Sequence, residues 1–275
     1  MTKYGIAFPY VDAWMIARLA PQVEEAGWDG IFLGDAIYCM DPMISLAAAA
    51  MVTGRICLGT MVIPAPLRRP WKIASEALNL DHLSGGRAIL GMGTGAVWMD
   101  WRDFPDEVTD VRQRAEMLDE SIDILTDLFR REPFEFEGEH FHVKIADVQY
   151  YPPRPVLQPR IPLWCTGAWP RMKSMRRVLK CDGLLPLKMD AEGKFVDLQP
   201  EDIRQMKAYV DANRTLEEPF DIVVEGKTQG LERSAARDRV LPWIEAGATW
   251  WIEGLWEANE EQLIDRIRQG PPTVD

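Results

Sequence analysis

Two short apolar runs that end in Gly and Thr, residues 56–62 and 88–92, bracket one helix-length segment at 71–80. A strand, a helix and a strand at that spacing form a right-handed crossover between two parallel strands. Both strands then deliver small residues, Gly59-Thr60 and Gly91-Met92-Gly93-Thr94-Gly95, to the same carboxyl edge. Glycine lets a flat molecule approach bare backbone, so this edge is where a ligand is expected.

The unit recurs along the chain. Apolar runs at 4–8, 30–33, 56–62, 88–92, 163–165, 183–186, 222–224 and 249–252 read as buried strands. Helix-period segments at 12–26, 42–51, 71–80, 111–129, 171–179, 201–212, 234–246 and 259–268 alternate with them. Eight such pairs predict a closed (β/α)8 TIM barrel in preference to an open doubly wound sheet. The 275 residues suffice for one barrel, so a single domain over 1–275 is expected. Residues 94–110 read as a long loop. An insertion at about 132–162 alternates at Phe134-Glu135-Phe136-Glu137 and at His140-Phe141-His142-Val143 before turning Pro-rich. It reads as a small hairpin and an extended segment outside the barrel.

Charge and cysteine usage narrow the function classes. A net charge of -12 without a Lys/Arg run argues against a nucleic-acid partner. No 18-residue apolar run occurs, which argues against a membrane span, and Lys3, Asp12 and Arg18 interrupt the first twenty residues where a signal peptide would lie. Cys39, Cys57, Cys165 and Cys181 form no CxxC pair and read as reduced thiols in a cytoplasm. The Ala-rich run at 45–50 fits either a buried core helix or a subunit interface.

In a barrel of this kind the reactive groups sit on the loops that follow the strands. One such loop, Thr166-Gly167-Ala168-Trp169-Pro170, leads into a helix carrying Arg171, Lys173, Arg176 and Arg177. A helix N-terminus beside cations reads as an anion site, with ordinary capping and solvated basic residues as the alternative. The loops carry carboxylates but no histidine, so no metal is expected there.

The ordered set Glu24-Glu25-Ala26-Gly27-Trp28-Asp29-Gly30, Phe32-Leu33-Gly34-Asp35, Asp41-Pro42, Leu80-Asp81-His82-Leu83-Ser84-Gly85-Gly86-Arg87, Gly91-Met92-Gly93-Thr94-Gly95 and Gly138-Glu139-His140-Phe141 resembles the bacterial-luciferase-like family. Members of that family are flavin- or deazaflavin-dependent oxidoreductases on a (β/α)8 barrel. The resemblance implies an isoalloxazine ring near Thr60, Met61 and Val62, with a cis peptide at Met61–Val62. It implies a cofactor phosphate held by the Gly167-Ala168-Trp169 backbone, Thr94 and Arg114, with Gly95 and Thr166 also among the cofactor-binding residues. A surface ion pair with Asp110 is the alternative for Arg114. One departure stands out. The family commonly has a histidine after the second strand, where this chain has Asp35-Ala36. That leaves Asp35 and Tyr38, and secondarily Tyr10, as acid–base candidates, although Asp35 equally suits a turn cap.

The resemblance implies, first, a monooxygenase that uses reduced FMN, supplied by a separate flavin reductase, and oxygen on a small organic substrate. Phe8, Tyr10, Met40, Trp98, Trp101 and Trp256 are candidate walls of its apolar pocket. A second possibility is hydride transfer from a deazaflavin (coenzyme F-420), with Arg68, Arg69 and Lys72 as one edge of a groove for its longer tail or, alternatively, as a solvated helix start. A third is a degenerate, non-catalytic barrel. A homodimer is expected.

Overall fold

The computed structural model describes residues 2–96, 103–149, 151–157 and 159–274. Eight parallel strands close into a barrel: β1 (Lys3–Phe8), β2 (Gly30–Leu33), β3 (Cys57–Thr60), β5 (Ala88–Gly93), β8 (Leu163–Trp169), β9 (Gly183–Met189), β11 (Asp221–Gly226) and β12 (Trp250–Gly254). Closure is made by β1 on β12, with Lys3 opposite Trp250 and Ala7 opposite Gly254. Two short strands, β4 (Ile63–Pro64) and β10 (Phe195–Val196), extend the rim beside β5 and β9. The hairpin β6 (Phe134–Glu137) and β7 (His142–Ile145) forms a separate sheet, as the alternation predicts.

The helices α1 (Ala13–Glu25), α2 (Pro42–Ala50), α3 (Pro70–Ser84), α4 (Val111–Arg130), α5 (Met172–Val178), α6 (Pro200–Asn213), α7 (Arg233–Glu245) and α8 (Glu260–Gln269) follow the predicted segments. Their ends are chemically marked. Asp12, Asp41, Asp110 and Asn259 each accept a hydrogen bond from a first-turn N–H. Gly85, at φ 68°, ends α3 in the left-handed region where a side chain is disfavoured. The following Arg87 guanidinium bonds the Ile56, Thr53, Ala50 and Ser84 carbonyls, so the Ser-Gly-Gly-Arg turn clamps the α2–β3 connection. None of the described helices is long and apolar enough to cross a membrane.

Side chains alternate between two cores. Ala7, Phe32, Ile89, Trp164, Leu185, Val223, Trp250 and Ile252 fill the barrel interior. The opposite faces of the strands, including Ile6, Phe8, Leu33 and Leu58, pack against the helices. Phe32 stacks on Trp164 with ring centroids 5.3 Å apart and meets Trp250 edge-on at 5.4 Å. Gly5, Gly30 and Gly59 make this possible, since a Cβ at any of them would press on the Phe32 ring. Gly59 thus serves core packing, and Gly91 serves close approach to the Thr60 carbonyl. The bare backbone expected for a ligand is confined to the next layer up.

Candidate active site

Above the aromatic layer, at the carboxyl ends of the strands, lies a cavity of about 600 Å³. Among the residues expected to hold a cofactor, Met61, Val62, Thr94, Gly95, Arg114 and Thr166 line it, as do Tyr10 and Trp256 from the expected substrate wall. The Met61–Val62 peptide bond is cis. A smaller recess of about 300 Å³ shares Met61, Val62, Thr166 and Leu187 and is completed by Val223 and Glu225.

Gly95 and Arg114 form the end of the larger cavity nearest α4. Gly95 has φ 75°, and a Cβ on it would lie 2.7 Å from Pro64 and 2.9 Å from the Arg114 guanidinium. Arg114 is 1% exposed, which removes the surface-cation alternative, and its Nη2 donates to the Thr94 carbonyl. Asp110 instead caps α4 through the Gln113 N–H at 2.8 Å. Desolvation pushes the Arg114 guanidinium down to about 10. It stays charged at neutral pH, so the cavity has a buried cation beside bare glycine backbone, a setting suited to an anionic tail.

Other expected site residues are engaged elsewhere. Asp35 borders the cavity, but its carboxylate is paired with Arg68 Nε at 2.9 Å. Burial pushes the Asp35 carboxyl up, and the Arg68 charge opposes this. Arg68 also bonds Asp41 at 2.8 Å and Glu76 at 3.0 Å. Arg69 lies over the Trp71 and Phe141 rings, and Lys72 pairs with Glu76, so no basic groove edge forms there. Tyr38 is 85% exposed, faces Phe104 and is not among the residues that line the cavity. Met40 is exposed, while Phe8 points outward into the helix-facing core, and neither lines the cavity. Thr60 is fully buried, with its hydroxyl exchanging two 2.9 Å hydrogen bonds with the Gly91 backbone, so it ties β3 to β5. Trp98 and Trp101 lie outside the described residues.

The loop after β8 starts later than the sequence suggests. The strand continues through Trp169, and the Trp169–Pro170 bond is cis. Gly167 faces outward, where a Cβ would strike Leu184 and Val178. The Ala168 N–H is taken by Ser174 Oγ at 3.0 Å, and the Trp169 ring meets Tyr209 of α6. The helix that follows has only seven residues. Arg177 turns back to Asp119 at 2.6 Å. Arg177 is therefore withdrawn from the cation cluster that the sequence suggests at this turn, and Arg171 reaches the Asp190 carbonyl.

The three histidines lie away from the mouth. His82 meets the Arg154 carbonyl, His142 faces Glu137, and His140 faces Glu116. Glu116, Glu139 and His140 bring possible ligand atoms within 4.8 Å on the outer surface, but Arg112 already bonds Glu116 at 2.7 Å.

One functional candidate was missed. Glu225 stands at the end of β11, and the period-two pattern Val223, Glu225 places it facing inward. Ending that strand at residue 224 hid the signal.

A family profile described as luciferase-like monooxygenase matches residues 11–268. A 4-hydroxyprotoasukamycin monooxygenase of Streptomyces nodosus subsp. asukaensis is 32% identical over 152 residues, covering 53% of this chain and 40% of that protein. A Mycobacterium tuberculosis protein that carries the name of a coenzyme F420-dependent oxidoreductase is 32% identical over 184 residues, covering 62% of this chain and 50% of that protein. The chain thus matches half or less of the length of these curated relatives. A solved F420-dependent secondary alcohol dehydrogenase in complex with an F420-acetone adduct superposes with TM-score 0.77 at 14% identity, covering 100% of this chain and 99% of that one. At that identity the agreement concerns the fold.

Proposed function

Since the chain belongs to the luciferase-like monooxygenase family, we propose that it is an oxidoreductase whose flavin-type cofactor lies in the mouth cavity, and that this cofactor is a deazaflavin. The observation that carries the cofactor reading is the 600 Å³ cavity with the Arg114 cation at its Gly95 end. That volume suits a cofactor-sized ligand. Met61, Val62 and Trp256 would flank the ring, and Thr94, Gly95 and Arg114 would receive the phosphate. Bound there in reduced form, a deazaflavin supplies hydride to a small organic substrate. The protein's own part is to hold, orient and partly shield that ring.

The deazaflavin choice is supported by the name of the M. tuberculosis relative. Cavity-wall residues Tyr10 and Phe195 remain 43% and 50% exposed, and hydride transfer tolerates such water access better than a peroxide would. FMN with oxygen, reduced by a separate flavin reductase, is the second reading. It is favoured by the pairing of Arg68, Arg69 and Lys72, which leaves no groove there for a long tail, and by the name of the Streptomyces relative. Fluorescence-quenching titrations of the pure protein with each oxidised cofactor separate the readings. Saturable binding of the deazaflavin is expected. Binding of FMN alone reverses the choice, and binding of neither overturns the redox assignment.

A homodimer is part of the proposal. Helix α2 buries Leu46 and Ala49 yet leaves Ile44 66% exposed, and its C-cap Met51 is 70% exposed. Sedimentation of wild type against Ile44→Lys tests this, with a change from dimer to monomer expected.

A further inference from the structure

A carboxylate with a built seat stands in the barrel mouth. On β11, Val223 belongs to the interior cluster and Glu225 lies one layer higher, in the wall of the smaller recess. Gly254, on neighbouring β12, makes room for it: a Cβ there would strike the Glu225 carboxylate. Trp256 Nε1 donates to Glu225 Oε1 at 2.6 Å. The same indole closes over Gly34, where a Cβ would lie 3.3 Å from its ring, and it lines the larger cavity. The pair therefore joins the two recesses.

The surrounding charges are accounted for. On the same loop, Lys227 pairs with Glu257 at 3.6 Å. On β9, Lys188 pairs with Asp202 at 2.9 Å, and on β12 Glu253 is buried under Thr228 and Arg266. At the β2 side of the mouth Asp35 is held by Arg68, and Arg114 bonds the Thr94 carbonyl. Glu225 is solvent-exposed at the mouth, with Gly254 and the Trp256 indole packed against its carboxylate. Burial pushes its carboxyl up, against the opposing effects of the Trp256 hydrogen bond and the Lys227 charge.

Resting on the redox reading above, we propose that Glu225 is the acid of the reaction, giving its proton to the oxygen of a small carbonyl substrate in the recess, with Trp256 as its positioning partner. Hydride from the reduced deazaflavin forms the new C–H bond. The C=O π pair takes the carboxyl proton and becomes O–H. The cofactor is oxidised by two electrons, the carbonyl is reduced to an alcohol, and the Glu225 carboxylate regains a proton from water at the mouth. The group fills the role that histidine cannot take in a chain with Ala36 after the second strand.

The test compares wild type, Glu225→Gln and Trp256→Phe, each loaded with reduced deazaflavin and mixed with a panel of short aldehydes and ketones. Cofactor affinity is measured beside it by fluorescence quenching. Affinity is expected to stay within about threefold in Glu225→Gln, because that change touches neither the residues that would flank the ring nor the phosphate end. Hydride transfer is expected to slow by about 100-fold in Glu225→Gln, the usual scale for losing a general acid. The donor must be protonated, so the wild-type rate falls as pH rises through the Glu225 pKa, and Glu225→Gln loses that fall. Trp256→Phe removes a hydrogen bond that favours the carboxylate, so its fall moves to higher pH. That shift carries the test should Glu225→Gln not fold. Equal rates and pH profiles in wild type and Glu225→Gln, or a wild type inert toward every carbonyl while binding cofactor, would overturn the assignment. Absence of quenching in wild type shows that the redox reading itself has failed.

Discussion

The two ends of this barrel use the same small residues for opposite purposes. At the floor, Gly5, Gly30 and Gly59 are filled by the Phe32 ring, and Phe32, Trp164 and Trp250 pack on one another fully buried. At the mouth, Gly95 keeps space beside Pro64 and Arg114, and that end holds a cavity of about 600 Å³. Glycine at a strand therefore does not announce a ligand. What distinguishes the ends is whether an aromatic residue on the neighbouring strand claims the room.

The largest expected effect lies at the floor. Phe32→Ala removes a fully buried ring with two aromatic partners and should cost about 3–5 kcal/mol of stability, read from urea unfolding. Any cofactor affinity that survives in the folded fraction should be unchanged. An Arg114→Met change at the mouth should act the other way. Losing a charge-assisted contact should weaken binding of the phosphorylated cofactor by about 2 kcal/mol, roughly 30-fold, and leave its phosphate-free form unaffected. Equal losses for both forms would remove Arg114 from the phosphate site.

A smaller effect is expected at Gly95. Gly95→Ala places a side chain at φ 75°, costing about 1 kcal/mol in stability, and crowds Arg114. Its cofactor affinity should drop more than its stability does, and calorimetry beside a binding titration compares the two. The smallest effect should come from Glu24, whose carboxylate gathers the Gly54, Arg55 and Ile56 N–H groups ahead of β3. Burial acts to raise its pKa, but those N–H groups prevail and hold it below the usual range. A depressed folded-state pKa gives stability above the unfolded value, lost as pH falls through the folded one. Glu24→Gln should thus be less stable than wild type by about 1 kcal/mol at neutral pH. The gap should close in acid, below the ordinary carboxylate range, as thermal melts against pH will show.

The barrel was legible because hydrophobic period and helix caps are local signals. Asp41-Pro42 and the Gly85 turn mark helix ends before any tertiary contact exists. Met61, Val62, Gly95 and Arg114 at the mouth were legible through the family resemblance. What failed was side-chain direction. Phe8 and Trp169 sit on the outward phase of their strands, and Arg68 and Arg177 are claimed by carboxylates on other helices. Asp35 and Asp41 beside Arg68, and Asp119 beside Arg177, are distant in sequence, so charge clusters along the chain overstate charge clusters in space. Glu225 was the converse case, since its inward phase could be read from Val223 once the strand is carried two residues further.

The central claim is that the mouth, and not another surface of the barrel, seats the cofactor. A crystal structure of the protein grown with excess oxidised deazaflavin tests this directly. The account predicts the ring between Met61–Val62 and Trp256 with the phosphate within hydrogen-bonding reach of Arg114. A cofactor bound elsewhere, or a mouth filled by the protein's own side chains at saturating cofactor, would contradict it.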